Sequence, residues 1–362
     1  LDKSGIPLYE DYGPHHGFVV SPYPSFVQNR LGQLMQDITQ SIPSDLVYED
    51  QIGGRASHPD YNPDSPDPAA YAQGWLEHTR QFQNLILTSE MGYDRLAETE
   101  TGFHGSVLLA EAEGKTTIWW GDGNWYLYPM APIALRDKVL LYHNTENRSA
   151  TAERRVLAMN LGFGYMLSFD WTASGSNGDW LAPVGVFQSR VLSEYAGERI
   201  LDYSNLTSHV TQTKFERVMA TTNWNTTSSY SLGQYTLPPL GTMVASDDDS
   251  LIAGIFTKYN GVSLTGGAHY LVEERESERI MIRQPRGADT VLTIDLLPQW
   301  NMDTPLEIWV YDNTGFVIGT VPGNVTSNCI TFNYQQKIGG KTAAYYSISN
   351  LDSIFIPLMI DS

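Results

Sequence analysis

The feature that most constrains this chain is a repeat in its first half. A short, near-continuous apolar run closes in a polar residue, and helical spacing follows. The runs are "DLVYED" (Asp45–Asp50), "NLILTSEMG" (Asn84–Gly92), "KVLLYH" (Lys138–His143) and "YMLSFDW" (Tyr165–Trp171). Ahead of the first lies "SFVQNRLGQLMQDITQSI", with Phe26, Val27, Leu31, Leu34, Met35 and Ile38 at helical spacing. After it, "DPAAYAQGWLEHTRQFQ" reads as a helix with Asp67 as N-cap and Pro68 at the first position. Further helices are expected over 151–163 and 182–195. Apolar runs that do not alternate, separated by helices, predict a parallel sheet covered on both faces. "GFVVSPYP" (Gly17–Pro24) adds one more short strand.

From about Leu201 the texture changes. "LIAGIFTKYNGVSL", "AHYLVEE", "RIMIRQP", "TVLTIDLLP", "LEIWVYDNTGFVIGTV" and "CITFNYQ" are alternating segments broken by turn residues, with a hairpin signal at Asn260–Gly261. The fold class is therefore α/β plus β. Residues 1–200 are expected to be the C-terminal part of a (β/α)8-type barrel, and residues 201–362 an antiparallel β-sandwich. Four or five strand–helix units fall short of an eight-stranded barrel, which needs about 250 residues. Either the sheet is smaller and open, or an upstream segment or second chain completes it, since an open strand edge invites aggregation.

Composition narrows the function. The formal net charge is −19, which disfavours nucleic acid and anionic membrane surfaces as partners. No apolar run reaches the roughly 18 residues of a membrane span. Cys329 is the only cysteine, so neither an intrachain disulfide nor a thiolate metal cluster is expected. That usage suits a bacterial cytoplasmic or secreted protein alike. The histidines lack metal-ligand spacing, no GxSxG elbow occurs, and no phosphate loop is found, so no metal or cofactor is expected. "DDDS" (Asp247–Ser250) reads as a solvated turn rather than a calcium site.

In a parallel α/β barrel the C-terminal strand ends open into the active-site mouth. Here four runs carry polar groups at that end: Glu49 or Asp50, Glu90, His143 and Asp170. Each alone would be an ordinary helix cap; together they mark a polar pocket. Asp50 and Glu90 close consecutive strands, which would set their carboxyls about 5 Å apart, the separation of a retaining glycosidase. One would attack the anomeric carbon and the other protonate the leaving oxygen, its pKa raised by apolar neighbours and the first charge. Strand alternation puts Tyr48 and Asp50 on one face and Glu49 on the other, leaving the choice between the two acids open.

The stretches "SDLVYEDQIGGR", "DYNPDSPDPAAYAQGWLEH" and "LTSEMGYDRLAETETGFHGS" resemble the DUF6259 family of bacterial carbohydrate-active proteins, closely from about Gly17 to Ser106 and more loosely beyond. That family resembles glycoside hydrolases of the endo-α-N-acetylgalactosaminidase type. The resemblance implies an Asp nucleophile ending one barrel strand and a Glu acid/base ending the next, positions that Asp50 and Glu90 match. It implies cleavage of an α-linked oligosaccharide or glycoconjugate.

Around this pair, Arg55, Asp94, Arg95, His104, His143 and Asp170 are candidate substrate-binding groups. The loop "TTIWWGDGNWYLYP" offers Trp119, Trp120 and Trp125 as stacking platforms for sugar rings. Two other readings compete: a non-catalytic carbohydrate-binding protein on a hydrolase scaffold, and a metal-dependent hydrolase using Asp50, Asp60, Glu90 and His143.

Overall fold

The computed structural model describes residues 1–55, 58–104, 128–142, 154–167, 180–300 and 306–350. They form two compact units, Leu1–Glu146 and Asn147–Ser362.

The first unit opens with a hairpin of β1 (Tyr9–Tyr12) and β2 (His15–Phe18). The expected first strand of the parallel sheet is thus the return arm of a hairpin, which adds nothing to that sheet. Then come α1 (Ser25–Ser41), β3 (Leu46–Glu49), α2 (Ala70–Arg80), β4 (Ile86–Glu90), β5 (Gly102–His104), α3 (Met130–Leu135) and β6 (Leu140–Tyr142). The helix expected from Asp67 begins at Ala70. Asp67 instead accepts the Ala69 amide at 2.7 Å in the turn before it.

Strands β3, β4, β5 and β6 make one parallel sheet in that order. Tyr48 stands opposite Thr88, Glu49 opposite Ser89, Glu90 opposite His104, and His104 opposite Tyr142. Strand β5 has three residues, too short for a periodic signal, and its glycine and flanking acids disguise it. Alternation divides the sheet into two faces. Val47, Glu49, Leu87, Ser89, Phe103 and Leu141 share one; of these Glu49, Leu87, Ser89, Phe103 and Leu141 are buried. Leu46, Tyr48, Ile86, Thr88, Glu90, His104, Leu140 and Tyr142 share the other. On that second face Leu46, Tyr48 and Ile86 remain 49%, 46% and 44% exposed.

The second unit is built on a ten-stranded antiparallel sheet. Its strands run, edge to edge, Val317–Val321, Leu306–Tyr311, Tyr345–Asn350, Arg279–Arg286, His269–Glu276, Leu251–Phe256, Thr242–Ser246, Val218–Asn223, Val210–Phe215 and Ile200–Thr207. A three-stranded sheet of Thr290–Asp295, Cys329–Tyr334 and Gly323–Thr326 shares its core. Leu292, Ile294, Ile330 and Phe332 meet Ile280, Ile282, Ile308, Val310 and Ile348, each worth about 2 kcal/mol on burial. At the Asp247–Ser250 turn, Asp248 accepts the Ser250 amide at 3.0 Å and Lys214 bonds Asp247 at 2.6 Å, as a solvated turn requires.

Helices α4 (Arg154–Phe163) and α5 (Leu181–Arg190) belong to this second unit. The division therefore falls at 146/147, whereas the change in texture suggested 200/201. Helix α4 is buried from Val156 to Phe163, and Thr242 Oγ1 donates to the Ala158 carbonyl at 3.3 Å. Buried on every side from Val156 onward, it carries no single apolar stripe that tells which sheet it covers. The expected strand Tyr165–Trp171 lies outside the described residues beyond Leu167.

Gly254 lies in the middle of the large sheet at φ +151°, and a Cβ there would stand 2.1 Å from the Thr242 carbonyl. Gly254→Ala should destabilise the second unit by about 2 kcal/mol or more, read as a lower urea midpoint.

Candidate functional site

The C-terminal ends of β3, β4, β5 and β6 gather polar side chains on the exposed face of the parallel sheet. Strand β3 ends at Glu49 opposite Ser89; continuing that register by one residue sets Asp50 opposite Glu90. Both carboxylates then follow the alternation of Tyr48 and Thr88, on the same face. Asp50 is exposed and Glu90 half-buried. Each is followed by a non-glycine residue in the left-handed region, Gln51 at φ +66° and Met91 at φ +58°. Such residues cost about 1 kcal/mol each, and here they turn the chain away immediately after each acid.

The two turns lock together through Gly53. A Cβ at Gly53 would stand 2.4 Å from the Met91 carbonyl oxygen and 2.7 Å from that of Glu90. The Met91 amide in turn donates to the His104 carbonyl at 2.6 Å, tying the end of β4 to β5. The double glycine was visible in the sequence, but only the packed backbone shows what the first glycine is for.

Tyr48 lies beside both carboxylates. Burial first, then the charges of Glu90 and Asp50, push its phenol up to about 12, so it stays a hydrogen-bond donor throughout the working range. Its ring meets His104 edge-on at 5.7 Å. Burial lowers His104 below the ordinary imidazole value, which makes it neutral at pH 7, and among the described residues its buried Nδ1 has no hydrogen-bond partner. Gly102, opposite Thr88 and Leu140 in the sheet, leaves room for Tyr142 and Thr88, whose side chains lie 3.1 and 3.2 Å from where its Cβ would be. Tyr48 was not singled out from the sequence, although its alternation with Asp50 was the signal for it.

The other candidates are distributed differently. Arg55 forms an ion pair with Glu10 of β1 and donates Nε–H to Gln51 Oε1 at 3.1 Å, bracing the turn after β3. Asp94 and Arg95 are exposed on the single-turn 3-10 helix Asp94–Glu98 that follows β4, where Asp94 accepts the Arg95 amide at 3.0 Å. Trp119, Trp120, Trp125, His143 and Asp170 lie outside the described residues. Asp60, a ligand in the metal-dependent reading, is buried and accepts from Ser21, and from Ser65 at 2.7 Å. Among the described residues no group of three or more His, Cys, Asp or Glu is arranged to hold a metal ion.

Glu49 takes the opposite direction from Asp50. It is buried on the other face of β3, where His78 of α2 donates Nε2–H to its Oε1 at 2.9 Å. The alternation that left two acids open at the end of β3 is thus resolved by burial: one faces solvent, the other the helix layer.

No family model matches the sequence, so the resemblance to the DUF6259 family gains no support there, and no curated protein matches it. Solved structures that resemble the fold include a noncanonic maltogenic α-amylase, AmyB, from Thermotoga neapolitana. It is 11% identical over 96% of this chain and 71% of that one, with a TM-score of 0.36. Another is a GH30 endoxylanase from Clostridium papyrosolvens C71, 8% identical over 95% of this chain and 76% of that one, with a TM-score of 0.33. Both are glycoside hydrolases.

Gly53→Ala should cost about 2 kcal/mol in urea unfolding of the first unit, because backbone at both turns must move. Gly54→Ala, whose Cβ would meet only Met91 Sδ at 3.5 Å, should change stability by less than about 0.5 kcal/mol.

Proposed function

We propose that this chain is a retaining glycoside hydrolase acting on an α-linked glycan, with Asp50 as nucleophile and Glu90 as acid/base. The observation that carries the reading is the register of β3 and β4, which brings an Asp and a Glu to the same face at adjacent strand ends. Parallel strands about 4.8 Å apart suit the short carboxyl separation of a double-displacement mechanism. In the first step the Asp50 carboxylate attacks the anomeric carbon while Glu90 delivers its proton to the departing oxygen. In the second, Glu90 takes a proton from water, which displaces Asp50. The Tyr48 hydroxyl and the neutral His104 ring would bond sugar hydroxyls or steady the carboxylates.

The parallel sheet is read as a segment of a (β/α)8-type barrel, with its exposed face turned inward to the lumen, and the second unit as its accompanying β-sandwich. Arg55 is assigned to bracing the turn that carries Asp50. Asp94, Arg95, His143 and Asp170 are proposed to contact substrate from the same strand ends, and Trp119, Trp120 and Trp125 to stack on sugar rings. The exposure of Asp50 and Tyr48 favours a second reading, a non-catalytic carbohydrate-binding protein on the same scaffold.

Asp50→Asn should abolish nearly all hydrolysis of aryl α-glycosides and leave the unfolding curve unchanged. Glu90→Gln should lose about 10²–10⁴-fold on substrates with poor leaving groups and much less on activated aryl glycosides. Full activity in Asp50→Asn would overturn the assignment. If the wild type binds oligosaccharides but turns over none, the binding reading holds instead. Oligosaccharide titration should alter tryptophan fluorescence, and replacement of Trp119, Trp120 or Trp125 by Ala should weaken the response; no change from any of the three would remove the loop from the site.

A further inference from the structure

Beneath the candidate site, on the covered side of the sheet, two carboxyls and an imidazole are buried together. Glu49 ends β3, His78 lies in the last turn of α2, and Glu100 lies just before β5. Their exposures are 7%, 4% and 3%. His78 engages only one oxygen of Glu49. Among the described residues no donor reaches Glu49 Oε2 or either Glu100 oxygen, and His78 Nδ1 is buried without a partner.

An ionised carboxylate only accepts hydrogen bonds, so two of them side by side have no donor between them. Two buried negative charges in contact are also costly. A single proton removes both difficulties, turning one carboxyl into a donor for the other.

We propose that Glu49 and Glu100 are a shared-proton site: the pair holds one proton in the folded protein at neutral pH, while His78 fixes the remaining oxygen of Glu49. The site is independent of the glycosidase reading. Burial foremost, then the charge and hydrogen bonding of Glu49, push Glu100 up to about 9. The titratable groups facing Glu100 are Glu49 from β3 and the Tyr93 phenol from the turn after β4, with His78 of α2 bonded to Glu49. Tyr93 is itself pushed up to about 12, chiefly by burial, and stays neutral.

The sign of the pH effect follows. An unfolded glutamate loses its proton near pH 4.3, whereas the folded pair keeps one until about pH 9. Across that window the folded state binds more protons, so stability falls as pH rises and levels off above it.

Glu100→Gln keeps the shape and supplies a permanent donor. Its unfolding temperature should gain on the wild type by about 4 °C or more between pH 5 and pH 9. The infrared carbonyl band of a protonated carboxyl, present in the folded wild type at pH 7, should lose intensity in the variant. Glu273, buried against Tyr259 and Arg275, is the same in both proteins and so drops out of the difference between their bands. Parallel unfolding profiles with an unchanged carboxyl band would overturn the proposal. Should Glu100→Gln fail to fold, Glu49→Gln serves in the infrared measurement: loss of intensity supports the shared proton, and an unchanged band refutes it.

Discussion

The register of β3 against β4 is the constraint on which the first unit depends. With Tyr48 opposite Thr88 and Glu49 opposite Ser89, every side chain near the strand ends has its face assigned. A slip of one residue would exchange the two sets. Asp50 would turn into the helix layer and Glu49 outward, and the bond from His78 would be lost. Register here is held from both sides: by buried Leu87, Phe103 and Leu141 below, and by the turn that seats Gly53 on the backbone of Glu90 and Met91.

That arrangement gives one strand end two electrostatic environments. Asp50 faces solvent, with Tyr48 as a neutral donor close by. One residue earlier, Glu49 is buried beside Glu100. Adjacent acids in the sequence therefore have unlike chemistry, because alternation of the strand sends one to water and the other to a low-dielectric layer. Opposite faces of the sheet thus divide an accessible carboxylate from a buried acid pair.

The second unit obeys a different logic. Its large antiparallel sheet buries Ile, Val, Leu and aromatic residues against a smaller sheet and takes α4 and α5 onto its surface. Close approach of α4 depends on Gly162, where a Cβ would come within 2.7 Å of Thr222 Oγ1. Two buried polar clusters of this unit are paired: Glu273 with Tyr259 and Arg275, and His269 with Gln284 and the Thr265 carbonyl. It thereby has a core of its own, distinct from the layer beneath the parallel sheet.

The sequence by itself determined the parallel class of β3, β4 and β6 and the antiparallel character of the region beyond Leu201, because apolar runs and alternation are local properties of the chain. It also determined that Asp50 and Glu90 close successive runs. It did not reveal β5, whose three residues are too few to show a period, nor that the Gly17 strand turns back as a hairpin. The place of α4 was equally hidden, since a helix with no single apolar stripe fits either sheet. Only the tertiary structure decided which of Glu49 and Asp50 is buried and which faces solvent. The direction of a side chain at a strand end depends on register, and register is set by residues distant in the chain. The same holds for Glu49, His78 and Glu100, which no spacing connects; they meet because β3, α2 and the turn before β5 pack into one desolvated layer.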